Sequence, residues 1–368
     1  MNGHYMQGCY LPHFLHLLRE NSSDIAPGRK KFIRRVMLTS VGLFLPTLVE
    51  RAYYGKRVED AKIENPPVFI LGHWRSGTTY LFNLMSQDPA FSYTDSITTF
   101  TCHNYIWLRR ILPHFYNKLM SGDRFGDDME FLPHSPQEEC YAIANTIDET
   151  FTHLITFPGR AEHYMNLAFA DGMTPEQQEL WKKTHLHLLK KLTCFRKGKR
   201  ILFKSPDNTA KMYMLHELYP DAKFVHIYRS PYNSVSSTIN MYRLGIRAMT
   251  FEFVPDDGSI TDATVKFFRR IYEHYFADLR RMPDGSVTEI SYDALCTDPV
   301  GTIRRVYESL SIPGFDAAEP FIRAHAGSQK NYKPSNFAPE KALREKINGE
   351  LGFFFEHYNI PMQKDREV

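Results

Sequence analysis

The sequence has few cysteines, and they form no covalent or metal-binding framework. Its five cysteines are scattered over 368 residues, and no Cys-x-x-Cys pair occurs among them. Scattered, odd-numbered thiols are typical of a reducing compartment, so we expect a cytoplasmic protein. The first twenty residues also lack the basic, apolar and small-residue order of a secretory signal.

Neither sign of charge predominates. There are 45 Lys and Arg residues against 42 Asp and Glu residues, giving a formal net charge of +3. Proteins that bind nucleic acid through its backbone usually carry a large basic excess, so we expect no nucleic-acid partner. The 43% of hydrophobic and 24% of charged residues are typical of a globular protein.

The sequence also lacks an uninterrupted apolar run long enough to cross a bilayer. Its most apolar stretch, 36–49, lies in a helix predicted over 32–49 with a kink at Pro46, and it is shorter than the roughly 20 residues that a spanning helix needs. Basic residues precede this stretch, which would allow it to rest on a membrane surface. We favour a helix packed against the rest of the protein, with a peripheral membrane contact as the alternative.

The most informative segment is 68–85. It begins with Val68-Phe69-Ile70-Leu71, an apolar run typical of a buried parallel strand, and ends in a stretch that continues best as a helix. A strand, a glycine-containing loop and a helix start direct several backbone N–H groups and the helix dipole at one anion. The segment therefore predicts a phosphate- or sulfate-binding loop. Side-chain donors in it are Arg75, Ser76, Thr78 and Thr79.

This loop lacks the lysine of a nucleotide-hydrolysing P-loop. Such a loop has the pattern Gly-x-x-x-x-Gly-Lys-[Ser/Thr]. Gly72 and Gly77 keep the spacing, but Thr78 stands at the lysine position and the cation, Arg75, precedes the second glycine. The change argues against metal-assisted phosphoryl transfer, and we expect no metal.

Downstream segments predict further strands, at about 90–93, 200–205, 223–229 and 287–295. Helical segments lie between them, including one predicted over 208–218, so the predicted fold class is α/β, with a central parallel sheet flanked by helices. Lys204 and Arg229 would end neighbouring strands, at the edge where open α/β sheets bind ligands. We expect both cations to bind phosphate, with a surface salt bridge as the alternative.

Two motifs resemble those of the sulfotransferases that use 3′-phosphoadenosine 5′-phosphosulfate (PAPS). Gly72-x-x-Arg75-Ser76-Gly77-Thr78-Thr79 resembles their 5′-phosphosulfate loop. Arg229 is followed eight residues later by Ser237, like the pair that holds the 3′-phosphate in that family. Tyr292-Asp293-Ala294-Leu295 is similar to the family's Tyr-Glu-Asp-Leu. The resemblance covers about 66–335.

The resemblance implies a P-loop-like sulfotransferase fold and transfer of the sulfuryl group of PAPS to a hydroxyl of a small-molecule acceptor. Arg75 and Lys204 would stabilise the charge on the leaving group. Tyr80 and Tyr292 would lie near the adenine, although each could instead be a core residue. The implied donor-binding residues are Arg75, Ser76, Gly77, Thr78, Thr79, Tyr80, Arg229, Ser237, Tyr292 and Lys333.

The chain departs from the family's pattern at the catalytic base. Cytosolic members carry a histidine two residues after the strand-end lysine, where this chain has Pro206. Relatives that act on other acceptors use a carboxylate about twenty residues after the loop arginine, and Asp95 lies at that spacing. Glu138, in a predicted helix start, is the other candidate, with Glu139 and His103 as rivals. Helix capping is the alternative role for Asp95.

The predicted organisation is a helical extension at 1–65, an α/β domain at 66–335 and a helical tail at 336–368, in which one helix is predicted over 339–358. A mostly helical insertion occupies about 97–195. Its aromatic residues favour an apolar acceptor such as a sterol or lipid, although an ordinary core would contain them too. Two alternatives stay open, a nucleotide kinase with a degenerate loop and a catalytically silent nucleotide-binding relative. The sequence predicts no oligomeric state.

Overall fold

The computed structural model describes residues 4–108, 134–196, 198–328 and 339–363. Its strands are β1 (Val68–Leu71), β2 (Phe91–Tyr93), β3 (Arg200–Lys204), β4 (Lys223–Tyr228) and β5 (Val287–Ser291). In chain order the helices are α1 (Leu11–Glu20), α2 (Lys30–Glu59), α3 (Thr78–Met85), α4 (Ser96–Phe100), α5 (Tyr105–Leu108), α6 (Cys140–Ala144), α7 (Ala161–Asn166), α8 (Pro175–Phe195), α9 (Met212–Leu218), α10 (Pro231–Met249), α11 (Asp257–Leu279), α12 (Tyr292–Thr297), α13 (Pro299–Ser309), α14 (Phe315–Ser328), α15 (Lys341–Glu350) and α16 (Gly352–His357).

Two compact units, each discontinuous in sequence, make up the chain. The first unit consists of Met1–Pro67, Phe91–Ser205 and Leu244–Pro255. The second unit consists of Val68–Ala90, Pro206–Arg243 and Asp256–Val368. The domain boundaries that the sequence predicts near residues 65 and 336 are not tested by this division and stay predictions.

In the second unit, β1, β4 and β5 form parallel pairs with β4 in the middle. Val68 pairs with Lys223 at the start of β1, and Tyr228 pairs with Ser291 at the end of β5. Because β1 and β5 occupy both edges of β4, the expectation that Lys204 and Arg229 end neighbouring strands is wrong. All four residues of β1 are fully buried, as its apolar run predicts.

In the first unit, β2 pairs with β3 in parallel, from Phe91 opposite Arg200 to Tyr93 opposite Leu202. Among the described residues of this unit, the longest helices are α2 and α8. Thr174 begins α8 with a capping box, in which its Oγ1 accepts from the amide of Gln177 at 3.3 Å. The predicted α/β class, with parallel strands and helices between them, is confirmed.

Three element predictions need correction. Residues 206–211 form a 3₁₀ segment, so α9 begins only at Met212. The segment predicted as a strand to 295 turns helical at Tyr292, because the Oγ of Ser291 caps α12. The predicted single tail helix is two helices, α15 and α16, separated at Leu351. After this break the ring of Tyr358 stacks on Tyr228 with centroids 3.8 Å apart.

Helix α2 is also longer than predicted. It has 30 residues and includes Pro46, which the sequence marked as a kink. With its preceding turn it is long and apolar enough to cross a membrane by length and composition alone. Core helices of other proteins meet the same criterion, but only 17% of the most apolar window of this helix is buried. Helix α2 thus packs through the side that carries Val36, Ser40 and Thr47, and it exposes most of its apolar window.

Candidate active site

The loop after β1 follows a path that favours glycine at two positions. The φ angles are 143° at Gly72 and 104° at Gly77, and Arg75 between them has φ of 65°. A Cβ atom on Gly72 would lie 2.5 Å from the carbonyl oxygen of Ile227 in β4. One on Gly77 would lie 2.3 Å from Cδ2 of Tyr292. Both glycines are therefore required by close approach as well as by backbone angle.

The loop leads directly into the N-terminus of α3, with Gly77 as the N-cap. The first N–H groups of a helix have no acceptor within the helix, and its dipole is positive at this end. Ser76 in the loop is 1% exposed, and within the described ranges its Oγ has no hydrogen-bond partner. A buried hydroxyl without a partner costs free energy that a bound acceptor would recover. The loop therefore fits an anionic group such as the 5′-phosphosulfate of PAPS.

Arg75 and Arg229 meet at this loop. Nε of Arg75 donates to Oγ of Ser237 in α10 at 2.8 Å. The guanidinium of Arg229 donates to the carbonyl oxygen of Arg75 at 3.5 Å, and its Cζ lies 4.4 Å from the ring centroid of Tyr292. The second contact is a cation–π interaction, which orients the guanidinium. Four predicted residues from three separate motifs thus lie together in the second unit.

The other predicted donor-binding residues occupy the first turn of α3 or lie outside the described residues. Thr78 is buried, and Thr79 and Tyr80 are half-buried. Burial raises the pKa of the Tyr80 phenol, and the nearby Cys296 adds to the effect. Cys296 also interacts with Tyr292, so the two predicted adenine-binding tyrosines share a neighbour. Lys333 falls outside the residues that the structure describes.

In the first unit, two carboxylates hold Lys204 at the end of β3. Its Nζ lies 2.5 Å from Oε1 of Glu138, and its amide donates to Oε2 of Glu139 at 3.0 Å. Lys204 is 1% exposed. The predicted helix start with both carboxylates in its first turn is wrong, because these side chains turn toward Lys204 and α6 begins only at Cys140.

Asp95 caps α4 and forms an ion pair. Its Oδ1 accepts from the amide of Thr98 at 2.7 Å, and its Oδ2 lies 2.9 Å from the guanidinium of Arg196 and 3.4 Å from Nδ1 of His134. Burial alone would raise the pKa of this carboxyl, but the bond from His134, the charge of Arg196 and the bonds from Thr98 lower it below its usual value. These contacts match the capping role that the sequence left open.

An apolar cavity of about 370 Å³ lies in the first unit among α2, α5, α6 and α8. The paired charges in its wall are Lys191 and Glu50, whose Nζ and Oε1 are 2.5 Å apart. His103, a rival candidate base, also lines it, but burial lowers the pKa of its ring to about 4 and its Nε2 faces the carbonyl oxygen of Asn145. Apolar lining residues are Leu48, Tyr54, Val58, Ile106, Ile143 and Leu188.

Sequence reasoning missed this cavity. Its walls come from segments far apart in the chain, and an apolar residue that lines a cavity has the same pattern as one that fills a core. Helix α6 supplies Ile143 to the wall and directly follows Glu139, so the Lys204–Glu138 pair lies just before a helix that lines the cavity. Among the residues described, no group of three or more His, Cys, Asp or Glu side chains could hold a metal ion.

Residues 66–317 match the model of a family described as the sulfotransferase family, which is more than half of the chain. The chain belongs to the sulfotransferase family. It is an enzyme, and the family match contradicts the alternative of a nucleotide kinase. The predicted sulfotransferase activity is confirmed.

This sulfotransferase is 27% identical over 357 residues to the omega-hydroxy-beta-dihydromenaquinone-9 sulfotransferase Stf3 of Mycobacterium bovis, and the same values hold for Stf3 of Mycobacterium tuberculosis. The alignment covers 95% of this chain and 90% of each relative.

Solved structures resemble the fold of this sulfotransferase. STF9 from Mycobacterium avium has a TM-score of 0.72 at 16% identity, covering 95% of this chain and 91% of STF9. STF1 from Mycobacterium tuberculosis has a TM-score of 0.59 at 18% identity, covering 94% of this chain and 92% of STF1. At these identities the likeness shows the fold, and the predicted P-loop-like sulfotransferase fold is confirmed.

The contact between Gly77 and Tyr292 generates a stability prediction. Gly77→Ala places a methyl group against the Tyr292 ring, so it lowers the free energy of unfolding by about 1–3 kcal/mol more than the backbone angle alone would. The matched control is Gly314→Ala, because Gly314 has φ of 91° and open space around its Cβ position. Denaturant unfolding measures both.

In the double variant Gly77→Ala/Tyr292→Ala the collision with the ring is absent, so the additional loss of unfolding free energy disappears. The difference from the sum of the two single variants is the coupling energy between the two sites. Equal losses in Gly77→Ala and Gly314→Ala, with no coupling to Tyr292, would show that the predicted collision does not occur.

Proposed function

We propose that this enzyme transfers the sulfuryl group of PAPS to a hydroxyl of a lipid-like acceptor and releases adenosine 3′,5′-bisphosphate. The observation that carries the proposal is the convergence of Arg75, Arg229, Ser237 and Tyr292 on a loop with a buried, unpartnered Ser76 hydroxyl. Such a cluster suits a ligand with negative charge at more than one point. A donor with a phosphosulfate and a separate phosphate is of this kind.

Within the second unit, the loop amides, Ser76 and the first turn of α3 bind the 5′ end of the donor. Thr78 and Thr79 lie in that turn and add hydroxyl donors. Arg229 and Ser237 bind the 3′-phosphate, and the tight contact of Arg229 with Tyr292 reduces the entropy that the guanidinium loses on binding. Tyr80 and Tyr292 offer flat rings to the adenine. Lys333 is proposed as a further cation for the 3′-phosphate.

PAPS supplies an activated sulfuryl group, which leaves its phosphate as the new bond to the acceptor oxygen forms. Arg75 and the amides of its loop are proposed to stabilise the negative charge that develops on the leaving phosphate. Lys204 is proposed to stabilise developing negative charge as well. Fixed donors of this kind usually provide the largest single contribution to catalysis. No residue in this assignment needs a metal, and transfer without a metal stays a prediction.

Glu138 is the proposed general base. It accepts the proton of the acceptor hydroxyl while the oxygen bonds to sulfur, a step that requires hydrogen-bond distance between the two. Its contact with Lys204 orients the carboxylate, and it lies just before α6, which lines the apolar cavity. Asp95 is the weaker candidate, because both of its oxygens already bind Thr98, Arg196 or His134.

The acceptor is proposed to be an apolar molecule with a hydroxyl group. Two relatives carry a name that specifies omega-hydroxy-beta-dihydromenaquinone-9. Independent support comes from the apolar cavity, whose volume is within the range of small-ligand sites. A cytoplasmic location is also proposed, and the five unpaired cysteines are compatible with it.

The donor assignment predicts selective nucleotide binding. Adenosine 3′,5′-bisphosphate raises the melting temperature of the wild-type protein, whereas ATP with Mg²⁺ raises it much less. Arg229→Ala weakens bisphosphate binding about 10- to 100-fold, the range expected for a lost charge-assisted hydrogen bond. The control is Arg281→Ala, because Arg281 also stacks on a tyrosine ring, that of Tyr213, at 3.4 Å in the same unit. A melting-temperature increase that depends on ATP and Mg²⁺ alone would contradict the donor.

The base assignment predicts that one carboxylate substitution lowers kcat and that the other lowers only the stability of the fold. Glu138→Gln lowers kcat about 10²- to 10⁴-fold with little change in KM for PAPS, because the base acts only in the chemical step. Asp95→Asn keeps kcat and lowers the free energy of unfolding by about 1–2 kcal/mol, because it weakens a cap and an ion pair. Steady-state kinetics and denaturant unfolding measure both. If Asp95→Asn loses kcat and Glu138→Gln keeps it, Asp95 is the base.

The acceptor assignment predicts a size effect. Leu188→Trp fills part of the cavity and lowers kcat/KM for a long hydroxylated hydrocarbon by at least about tenfold, a loss of about 1.4 kcal/mol. The same variant keeps its rate with a short-chain alcohol. Leu180→Trp is the matched control, because Leu180 lies on the same helix and is 41% exposed. If Leu188→Trp and Leu180→Trp have equal kcat/KM for the long acceptor, the hydrocarbon chain of the acceptor does not bind in this cavity.

A further inference from the structure

We propose that one face of α2 binds the surface of a bilayer that contains anionic lipids. We name this face the α2 apolar face and define it by Leu38, Val41, Leu45 and Leu48. The proposal concerns where the enzyme is held, and it does not depend on the identity of the donor or the acceptor.

The spacing of these residues places them on one side of the helix. They recur at intervals of three, four and three residues, which is the period of a single helical face. Leu38 is 73% exposed, Val41 53%, Leu45 68% and Leu48 40%. The opposite side carries the buried residues of the helix, including Val36, Ser40 and Thr47. Large apolar side chains in a row on the solvent side of a helix mark an interaction surface.

Aromatic side chains extend this surface beyond Leu48. Tyr53 is 75% exposed and Trp107 is 45% exposed, and their ring centroids are 5.9 Å apart. Tyrosine and tryptophan are enriched where a protein meets the lipid headgroup region, because their rings combine an apolar body with a polar group. The residues from Leu38 to Leu48 extend about 15 Å along the helix at 1.5 Å per residue.

The charges on α2 are complementary to an anionic surface. Lys30, Lys31, Arg34 and Arg35 are exposed in the first two turns, and Arg51, Lys56 and Arg57 are exposed after the apolar stretch. The acidic residues of the helix are Glu50, which is buried against Lys191, and Glu59 at its end. Cations at both ends of an apolar stripe fit a bilayer, where they reach the headgroups while the stripe enters the acyl boundary.

The buried side of α2 argues for lying on the bilayer rather than crossing it. Glu50 forms its ion pair with Lys191 at 2.5 Å, and Oγ1 of Thr47 accepts from Asn104 at 3.0 Å. Crossing would separate these groups from their partners in other segments of the first unit and expose a carboxylate to hydrocarbon. An in-plane orientation keeps those contacts and submerges only the α2 apolar face.

Leu48 belongs both to the α2 apolar face and to the wall of the apolar cavity. A lipid-like acceptor could therefore pass from the bilayer to the cavity without crossing bulk water. This consequence rests on the proposed function, whereas docking itself does not.

The test is flotation of the full chain with vesicles, measured without donor or acceptor. The wild type is expected to float with vesicles of phosphatidylcholine and phosphatidylglycerol, and to float less at high salt or with phosphatidylcholine alone. Leu38→Gln/Leu45→Gln lowers the vesicle partition coefficient at least about tenfold, and Lys31→Gln/Arg34→Gln lowers it about fivefold per cation. The matched control, Leu180→Gln/Leu244→Gln, changes leucines that are 41% and 43% exposed elsewhere and keeps wild-type binding.

Three results would overturn the proposal. The first is vesicle binding that Leu38→Gln/Leu45→Gln leaves unchanged, or no binding at all. The second is a wild-type dimer that this variant converts to monomer, which would make the face a contact between two copies. The third is protein that stays in the vesicles after alkaline extraction, as a spanning helix does. Unchanged binding of adenosine 3′,5′-bisphosphate by the variant separates a failure of docking from a failure of the donor assignment.

Discussion

The close approach of the loop after β1 to β4 and to the ring of Tyr292 is the constraint on which the candidate donor site depends. Glycine at 72 and 77 lets the chain pass where a side chain would collide. That path sets the start of α3 and turns the carbonyl oxygen of Arg75 toward Arg229. Tyr292 contacts two neighbours: its ring packs on the loop, and it lies under the guanidinium of Arg229. The groups that we propose to bind the donor are thus arranged before any ligand arrives, which would lower the entropy cost of binding.

In the first unit, ion pairs and hydrogen bonds hold the catalytic candidates in place. Lys204 is a buried cation, and a buried charge is tolerated when it is paired and hydrogen-bonded. Glu138 pairs with its ammonium group and Glu139 binds its amide, so one short segment before α6 satisfies both. Asp95 is just as thoroughly satisfied, but by a helix cap and Arg196. A carboxylate thus has a structural role at one position and is a candidate for chemistry at the other.

Local signals predicted much of this structure, and distant contacts explain the rest. The bounds of β1 follow from an apolar run between Pro67 and Gly72, and Arg229 and Ser237 were found through their resemblance to a motif of the family. The position of Glu138 depends on Lys204, far along the chain, so its helix start was misjudged. The length of α2 was underestimated because Pro46 and several polar residues interrupt its pattern, although contacts with other helices stabilise it. The cavity has no local signal at all, because it is defined by what four helices leave unfilled.

The discontinuity of the two units has a consequence for how the protein can be made. The first unit needs residues 244–255 in addition to its earlier segments, and the second includes both β1 and the tail that brings Tyr358 to Tyr228. During synthesis neither unit is complete until most of the polypeptide has left the ribosome. Many contacts must therefore form between residues remote in sequence, which slows folding and lengthens exposure of apolar segments. No cut at a single peptide bond would yield either unit whole, so chaperone demand and expression temperature should affect the yield of this enzyme strongly.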